Sequence, residues 1–214
     1  MYLNIVDLGI CDFSSTLNKQ KELWQHRIDD QIPDTLILVE HEPVFTVGKN
    51  GTIENLLISE TLLKEKNIPI YRIERGGDIT FHGPGQLVAY PIFKFKSNLI
   101  KVRNFIYSLE QIILNTLQRF GIFAQIRHPY IGVWIDDRKI ASIGIAIKRY
   151  VSFHGLAINV TNDLSYFDLI NPCGMKNIKV TSMEKELNKP INMKLVKEEL
   201  IYQFTKQYNS IYSI

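Results

Sequence analysis

Residues 123–160, FAQIRHPYIGVWIDDRKIASIGIAIKRYVSFHGLAINV, decide the reading of the fold. Four strand-like runs follow one another there, at 123–127, 131–136, 140–147 and 153–160. They are rich in β-branched and aromatic residues, which suit a pleated, half-buried surface. The breaks fall at His128-Pro129, at Asp136-Asp137-Arg138-Lys139 and at Lys148-Arg149, where ring-constrained or charged residues favour a turn.

Upstream, residues 2–8 read as a strand. Phe13, Leu17, Trp24 and Ile28 fall on one helical face over 13–28, with Ser14 or Ser15 as the cap. Residues 36–39 and 44–47 are short strands on either side of the turn at Glu42-Pro43. Ser59 to Lys66 suggests a short helix with Leu62 and Leu63 inward, and 70–73 a strand running into Gly76-Gly77. Residues 79–82 and 87–95 read as a hairpin around Gly83-Pro84-Gly85. The clearest helix carries Val102, Phe105, Ile106, Leu109, Ile112, Ile113, Leu117 and Phe120 at a 3.6-residue period, and Gly121 stops it. A last amphipathic helix, about 194–208, carries Leu195, Leu200, Ile201 and Phe204. Strands outnumber helices and do not alternate regularly with them. An α+β sheet with helices on one side is therefore expected, rather than a doubly wound nucleotide fold. No repeat or linker divides the chain, so residues 1–214 are expected to form a single domain.

Composition sets the bounds. The chain has 214 residues, 45% hydrophobic and 22% charged, which excludes a disordered tail or a fibrous repeat. Twenty-five basic against 22 acidic residues leave +3, too little to argue for nucleic acid as the main ligand. A local basic patch for an acidic partner is still compatible, at Lys94, Lys96, Lys101 and Arg103 or at Lys148 and Arg149. Cys11 and Cys173 have no CxxC spacing, which disfavours a disulfide scaffold or zinc ribbon and fits a reducing, cytoplasmic setting. The longest apolar run, Ile140–Ile147, is far short of a membrane span, and the first residues lack the pattern of a signal peptide.

Three segments concentrate chemistry. Arg75-Gly-Gly-Asp-Ile-Thr-Phe-His82-Gly-Pro-Gly-Gln86 puts four glycines beside an Arg, an Asp, a Thr and a His. It reads either as a tight glycine-rich bend or as a backbone that approaches a ligand closely. It lacks the third glycine of a dinucleotide fingerprint and the Gly-Lys-Ser/Thr of a phosphate loop. In Asn171-Pro-Cys173-Gly174 the sulfur sits in a loop, which suits an inert thiol or an exposed nucleophile. Lys139 opens an apolar strand of small residues, an odd neighbour for a charge that only solubilises. Of the five histidines none has a diagnostic spacing, though His82 and His154 each precede a glycine and suit a cleft edge. No HxH or HxxxH pair supports a metal.

Taken together these segments resemble the octanoyltransferases of the lipoate biosynthesis pathway, the lipoyl(octanoyl) transferase family. Those enzymes move octanoyl groups from acyl carrier protein onto lipoyl domains. Residues 75–86 fill the fixed positions of the family's R-G-G-x-x-T-x-H-x-P-G-Q. Lys139–Gly144, His154–Asn159 and Pro172–Gly174 are similar to K-[IV]-[AC]-[AS]-[IL]-G, H-G-[LF]-A-[LI]-N and P-C-G. Glu40–Gly48 is similar to the upstream E-H-x-P-V-[YF]-T-x-G. Five motifs in family order span 40–174, while 1–35 and 185–214 carry none.

The resemblance implies a biotin/lipoate ligase-like catalytic domain, a mixed central sheet flanked by helices with a small C-terminal portion. It implies Cys173 as acyl-accepting nucleophile and Lys139 as its partner. It also implies an acyl pocket lined by Arg75, Gly76, Gly77, Asp78, Ile79, Thr80, Phe81 and His82, by Ser142, Ile143 and Gly144, and by Gly155, Leu156 and Ala157. Small residues along those strands would leave a tunnel for an eight-carbon chain. Backbone N–H groups of Gly76-Gly77 or of Cys173-Gly174 are candidates for holding an oxyanion. No metal, ATP or other cofactor is implied. Acyl carrier protein is the implied donor. The implied acceptors are lipoyl domains of 2-oxoacid dehydrogenase complexes and the glycine cleavage H protein. A monomer without nucleic-acid or membrane partners is expected. A relative that moves octanoyl between lipoyl domains is the alternative.

Overall fold

The strand runs at 123–160 form one side of a large mixed sheet. The computed structural model describes residues 2–95, 102–171 and 178–211. In chain order the elements are β1 (Asn4–Cys11), α1 (Phe13–Ile28), β2 (Thr35–His41), β3 (Val44–Val47), α2 (Glu60–Glu65), β4 (Ile70–Arg72), β5 (Ile79–His82), β6 (Gln86–Ile92), α3 (Val102–Arg119), β7 (Gln125–Arg127), β8 (Tyr130–Ile135), β9 (Arg138–Lys148), β10 (Val151–Asn159), β11 (Lys179–Val180), α4 (Met183–Leu187) and α5 (Met193–Ile211).

The large sheet runs β1-β2-β6-β10-β9-β8-β7, with β11 added to β9. β1–β2 and β9–β11 are parallel, and the other pairs are antiparallel. A second sheet, β4-β3-β5, lies apart from it. β5 and β6 are therefore not the two arms of a hairpin. The turn between them is real, with Gln86 N–H donating to the Gly83 carbonyl at 3.1 Å. Beyond it, however, β5 pairs with β3 while β6 pairs with β2 and β10, so the turn carries the chain from one sheet to the other.

Helices cover both faces of the large sheet, not one. Leu36-Ile-Leu-Val39 is buried throughout, and successive side chains point to opposite faces. Leu36 and Leu38 pack with Leu109, Ile113, Val196 and Leu200 of α3 and α5. Ile37 and Val39 pack with Leu23 and Trp24 of α1. A strand with no wet face needs a layer on each side.

The helix ends correct several expectations. Asp12 caps α1, its side chain accepting from Ser15 N–H at 2.9 Å, so neither Ser14 nor Ser15 is the cap. Its most buried face is Phe13, Thr16, Gln20 and Leu23, while Leu17, Trp24 and Ile28 are half-buried. Ser59 caps α2, where Leu63 is buried but Leu62 is exposed. On α5 the inward stripe is Val196, Leu200, Phe204 and Tyr208, and Leu195 is exposed. Gly121, at φ +83°, follows α3 as a C-terminal glycine should.

One buried carboxylate ties three of these parts together. Asp34 accepts from Arg27 Nε at 2.6 Å, from the Lys94 backbone N–H at 3.0 Å and from the Tyr208 hydroxyl at 2.8 Å. It thus joins α1, the exit of β6 and α5. Asp34→Ala removes the acceptor of Arg27 Nε, of the Lys94 N–H and of the Tyr208 hydroxyl at once. We expect a loss of about 3 kcal/mol in urea unfolding. Asp34→Asn, which keeps the shape and part of the hydrogen bonding, should cost less.

Candidate active site

The two sheets meet over β9 and β10 and enclose a cavity of about 420 Å³. The contact depends on Arg75. Its guanidinium donates to the Thr46 carbonyl at 2.7 Å, to Thr46 Oγ1 at 3.0 Å and to the Gly76 carbonyl at 3.0 Å. Its stem lies across Gly144, where a Cβ would stand 2.8 Å from Arg75 Cδ. Gly76 N–H donates to the Ile145 carbonyl at 2.9 Å, pinning the loop to β9. That N–H is already engaged, so Gly76 is not an oxyanion donor. Gly144 and Gly155 are small for a reason other than tunnel width. A side chain at Gly144 would meet Arg75, and one at Gly155 would run into the Ala89 carbonyl oxygen and Pro91 of β6.

Most of the residues expected at a pocket do line this one. Arg75, Gly76, Gly77, Asp78, Ile79, Thr80 and His82 supply one wall. Lys139, Ser142, Ile143 and Gly144 of β9, with Gly155, Leu156 and Ala157 of β10, supply another. Phe81 is not in the lining. It stacks on Tyr166 at 4.3 Å and packs against Phe45 and Phe167 in the core of the small sheet. Asp78 also has a structural task. It accepts from the Ile79 N–H at 2.7 Å and from the Asn55 amide at 2.5 Å, which fixes the loop before β5.

Lys139 is 5% exposed. Its backbone is held on both sides, by Trp134 of β8 and by Val180 of β11. Because Trp134 stands opposite it, the two side chains share a face, and Lys139 Nζ lies 5.4 Å from the indole centroid. The stem runs past Gly132, at φ +124°, where a Cβ would come 2.7 Å from Lys139 Cε. The partner expected for it, Cys173, lies outside the described residues, as do Pro172, Gly174, Lys96 and Lys101. Asn171 is bonded through its N–H to the Asn55 carbonyl at 2.7 Å, and the chain is described again from Ile178, just before β11. Of the remaining basic-patch candidates, Lys94 is engaged by Asp30 and Lys148 by Glu74.

Three histidines are buried around the cavity. His41 Nδ1–H donates to the Cys11 carbonyl at 3.1 Å, so Nε2 accepts from the Tyr90 hydroxyl at 2.7 Å. His82 Nδ1 meets the Gln86 side-chain oxygen at 2.7 Å and so carries its proton there. Gln86 in turn donates to Asn159 at 2.9 Å. His154 sits at φ +57° in mid-strand, its N–H held by the Gln20 side chain at 2.9 Å. Burial pushes His41 down to about 4. It pushes His82 down to about 3, helped by His41 and opposed by the bond to Gln86. Burial, then the charge of Arg75, pushes His154 down to about 4. All three are neutral at pH 7.

The sequence motifs did not single out Tyr90, Gly132 or Trp134. A glycine inside a strand run is the one signal that pointed to Gly132. Among the described residues no three of His, Cys, Asp and Glu gather as a metal site. Nor, among them, is any helix long and apolar enough to cross a membrane.

Residues 12–205 match the model of the lipoyl protein ligase A/B catalytic domain. An octanoyltransferase of Dictyoglomus thermophilum is 49% identical over 88% of this chain and 80% of its own length. One of Caldicellulosiruptor bescii is 38% identical over 100% of this chain and 95% of its own. Among solved structures, a bipartite lipoate protein ligase of Thermoplasma acidophilum superposes with a TM-score of 0.75 at 15% identity, over 98% of this chain and 84% of that one. The biotin protein ligase of Aquifex aeolicus gives 0.58 at 12% identity, over 100% and 72%. These two establish the fold alone, a biotin/lipoate ligase-like α+β domain.

The histidines predict an acid weakness. In the unfolded chain each takes up a proton near pH 6.5, while in the folded chain it does so only near pH 3–4. Their contribution to stability is complete above pH 6.5 and is lost as pH falls from there towards 4. Between pH 7 and 5 we expect a loss of about 2 kcal/mol per histidine, read as a lower urea midpoint. An unchanged midpoint at pH 5 would contradict their burial as neutral groups.

Proposed function

Since the chain belongs to the lipoyl protein ligase A/B catalytic-domain family, we propose that it moves an octanoyl group from octanoyl-acyl carrier protein to the ε-amine of a lysine on lipoyl domains, through a thioester on Cys173 assisted by Lys139. Octanoyl transfer is the chemistry its relatives are named for, and the chain is accordingly an acyltransferase. The observation that carries the rest is a lysine amine buried in the wall of a largely apolar cavity. A charge is not placed there for solubility.

The residues support the following sequence. The Cys173 thiolate, stabilised by the Lys139 ammonium, attacks the donor's thioester carbonyl. The carrier's thiolate leaves and takes a proton from Lys139. One thioester has replaced another, so no ATP is required. A lipoyl-domain lysine then attacks as the free amine, of which only about one part in 10³ is present at pH 7.4. Lys139, now neutral, takes the proton from the attacking nitrogen, and Cys173 leaves as thiolate. The amide product is more stable than the thioester, which draws the transfer forward.

Several features fit this course. Val180, in register with Lys139, lies only seven residues after Cys173 in the chain. Ile79, Val88, Ile143 and Leu156 supply apolar wall for the alkyl chain. Burying six methylenes contributes about 5 kcal/mol and discriminates against very short acyl groups. Arg103, next to the cavity residue Val102, is positioned to meet an acidic carrier. The acceptors would be lipoyl domains of 2-oxoacid dehydrogenase complexes and the glycine cleavage H protein, met by a monomer in the cytoplasm.

Intact mass spectrometry after mixing with octanoyl-carrier protein without ATP should show one octanoyl group on the wild type and none on Cys173→Ala. Turnover by Cys173→Ala would refute the thioester route. Labelling that occurs only from an octanoylated lipoyl domain would favour transfer between lipoyl domains. Lys139→Ala should move the pH profile of Cys173 alkylation by iodoacetamide upward by about one unit, since the neighbouring cation is gone.

A further inference from the structure

Helix α3 carries a charge inside its apolar stripe. Glu110 is 4% exposed, among Ile106, Leu109 and Ile113. Ile106, one turn before it on the same face, lines the cavity. Nothing in the proposed reaction uses this carboxylate, yet it points at the lysine's seat. Its Oε1 accepts the Gly132 N–H at 3.1 Å. Beside the same glycine, Lys139 Nζ stands 3.3 Å from the place a Cβ would take. Both charges neighbour one glycine.

We propose that Glu110 is a positioning residue for Lys139: its carboxylate fixes Gly132, and with it the lane in which the lysine stem runs, and it balances the ammonium's charge in the cavity wall. The inference rests on the reading of Lys139 as the partner of Cys173. A buried carboxylate needs a donor and a cation around it, and here they are the Gly132 N–H and Lys139. Burial raises the group above its usual value, and the Gly132 N–H foremost, with His128 and Lys139, acts against that in favour of the charged form. The lane is narrow. At Gly132 a side chain would meet Lys139 Cε at 2.7 Å and the Ala141 carbonyl at 2.5 Å, so the glycine cannot shift towards the lysine without closing the lysine's path. Other charges around the seat among the described residues are Arg127, over the Trp134 ring at 5.3 Å, and Arg138, held by Glu186 and Asp136. Lys179 of β11 is turned to Asp137 at 2.7 Å.

The two tasks separate in two variants. Glu110→Gln keeps an oxygen for the Gly132 N–H, so the seat survives and only the negative charge is lost. The field at Cys173 becomes more positive, and its iodoacetamide profile should move to lower pH by about half a unit. Glu110→Ala removes the acceptor as well. Gly132 is released, Lys139 loses its lane, and the profile should move to higher pH, towards that of Lys139→Ala. Shifts of opposite sign are not produced by a residue that only stabilises the fold, and thermal unfolding of each variant is followed alongside. A Glu110→Gln profile that coincides with the wild type, while Lys139→Ala shifts, overturns the inference and leaves the Lys139–Cys173 reading standing. An unshifted Lys139→Ala overturns both. If Glu110→Ala fails to fold, the Gln variant alone decides.

Discussion

The cavity exists because two sheets approach to backbone distance, and they do so where β9 has no side chain, at Gly144. Gly144 receives the stem of Arg75, and Gly155 receives the Ala89 carbonyl of β6. The Gly76 N–H then closes the loop onto Ile145. A methyl group at Gly144 would push the small sheet off the large one, whereas one at Gly155 would push β10 off its own sheet neighbour β6. Arg75, buried across this contact and bonded to Thr46 of β3, joins the sheets. The hollow left beside that junction is the candidate active site.

The electrostatics of that hollow follow from burial. Arg75 is a permanent cation under the small sheet, and the three buried histidines are held neutral around it. Their hydrogen bonds run along side chains into backbone, through Tyr90 and Cys11 for His41 and through Gln86 and Asn159 for His82. They give the pocket fixed dipoles without giving it negative charge. At Lys139 the balance is set differently, by an indole face, by two flanking strands and by the carboxylate of Glu110 bonded to Gly132. Such an environment suits a group that holds a proton through one half of a reaction and releases it in the next.

Much of this was legible in the chain. The four runs at 123–160 became β7 to β10, and the limits of α1 fell where its periodicity placed them. Local pattern failed where partners are distant. Gly83-Pro84-Gly85 makes the turn its composition demands, but composition does not say that β5 and β6 will pair in different sheets. Leu36-Ile-Leu-Val39 could have signalled a strand covered on both faces, since a one-sided strand alternates. At the site, the residues of 75–82, 142–144 and 155–157 line one cavity apart from Phe81, whose ring serves the small-sheet core, while Cys173 lies outside the described residues. Glu110 was hidden inside a stripe read for its apolar residues. Its meaning comes from the register of β8 against α3, which no local spacing encodes.

The proposed reaction requires the amine of Lys139 and the sulfur of Cys173 to be neighbours at the apolar cavity. o-Phthalaldehyde tests this directly, because it joins an amine and a thiol into a fluorescent isoindole only when the two stand side by side. The account predicts one isoindole per chain, mapped by peptide mass spectrometry to Lys139 and Cys173 and suppressed when Cys173 is first octanoylated. An isoindole that maps elsewhere, or none in a folded protein, would contradict it.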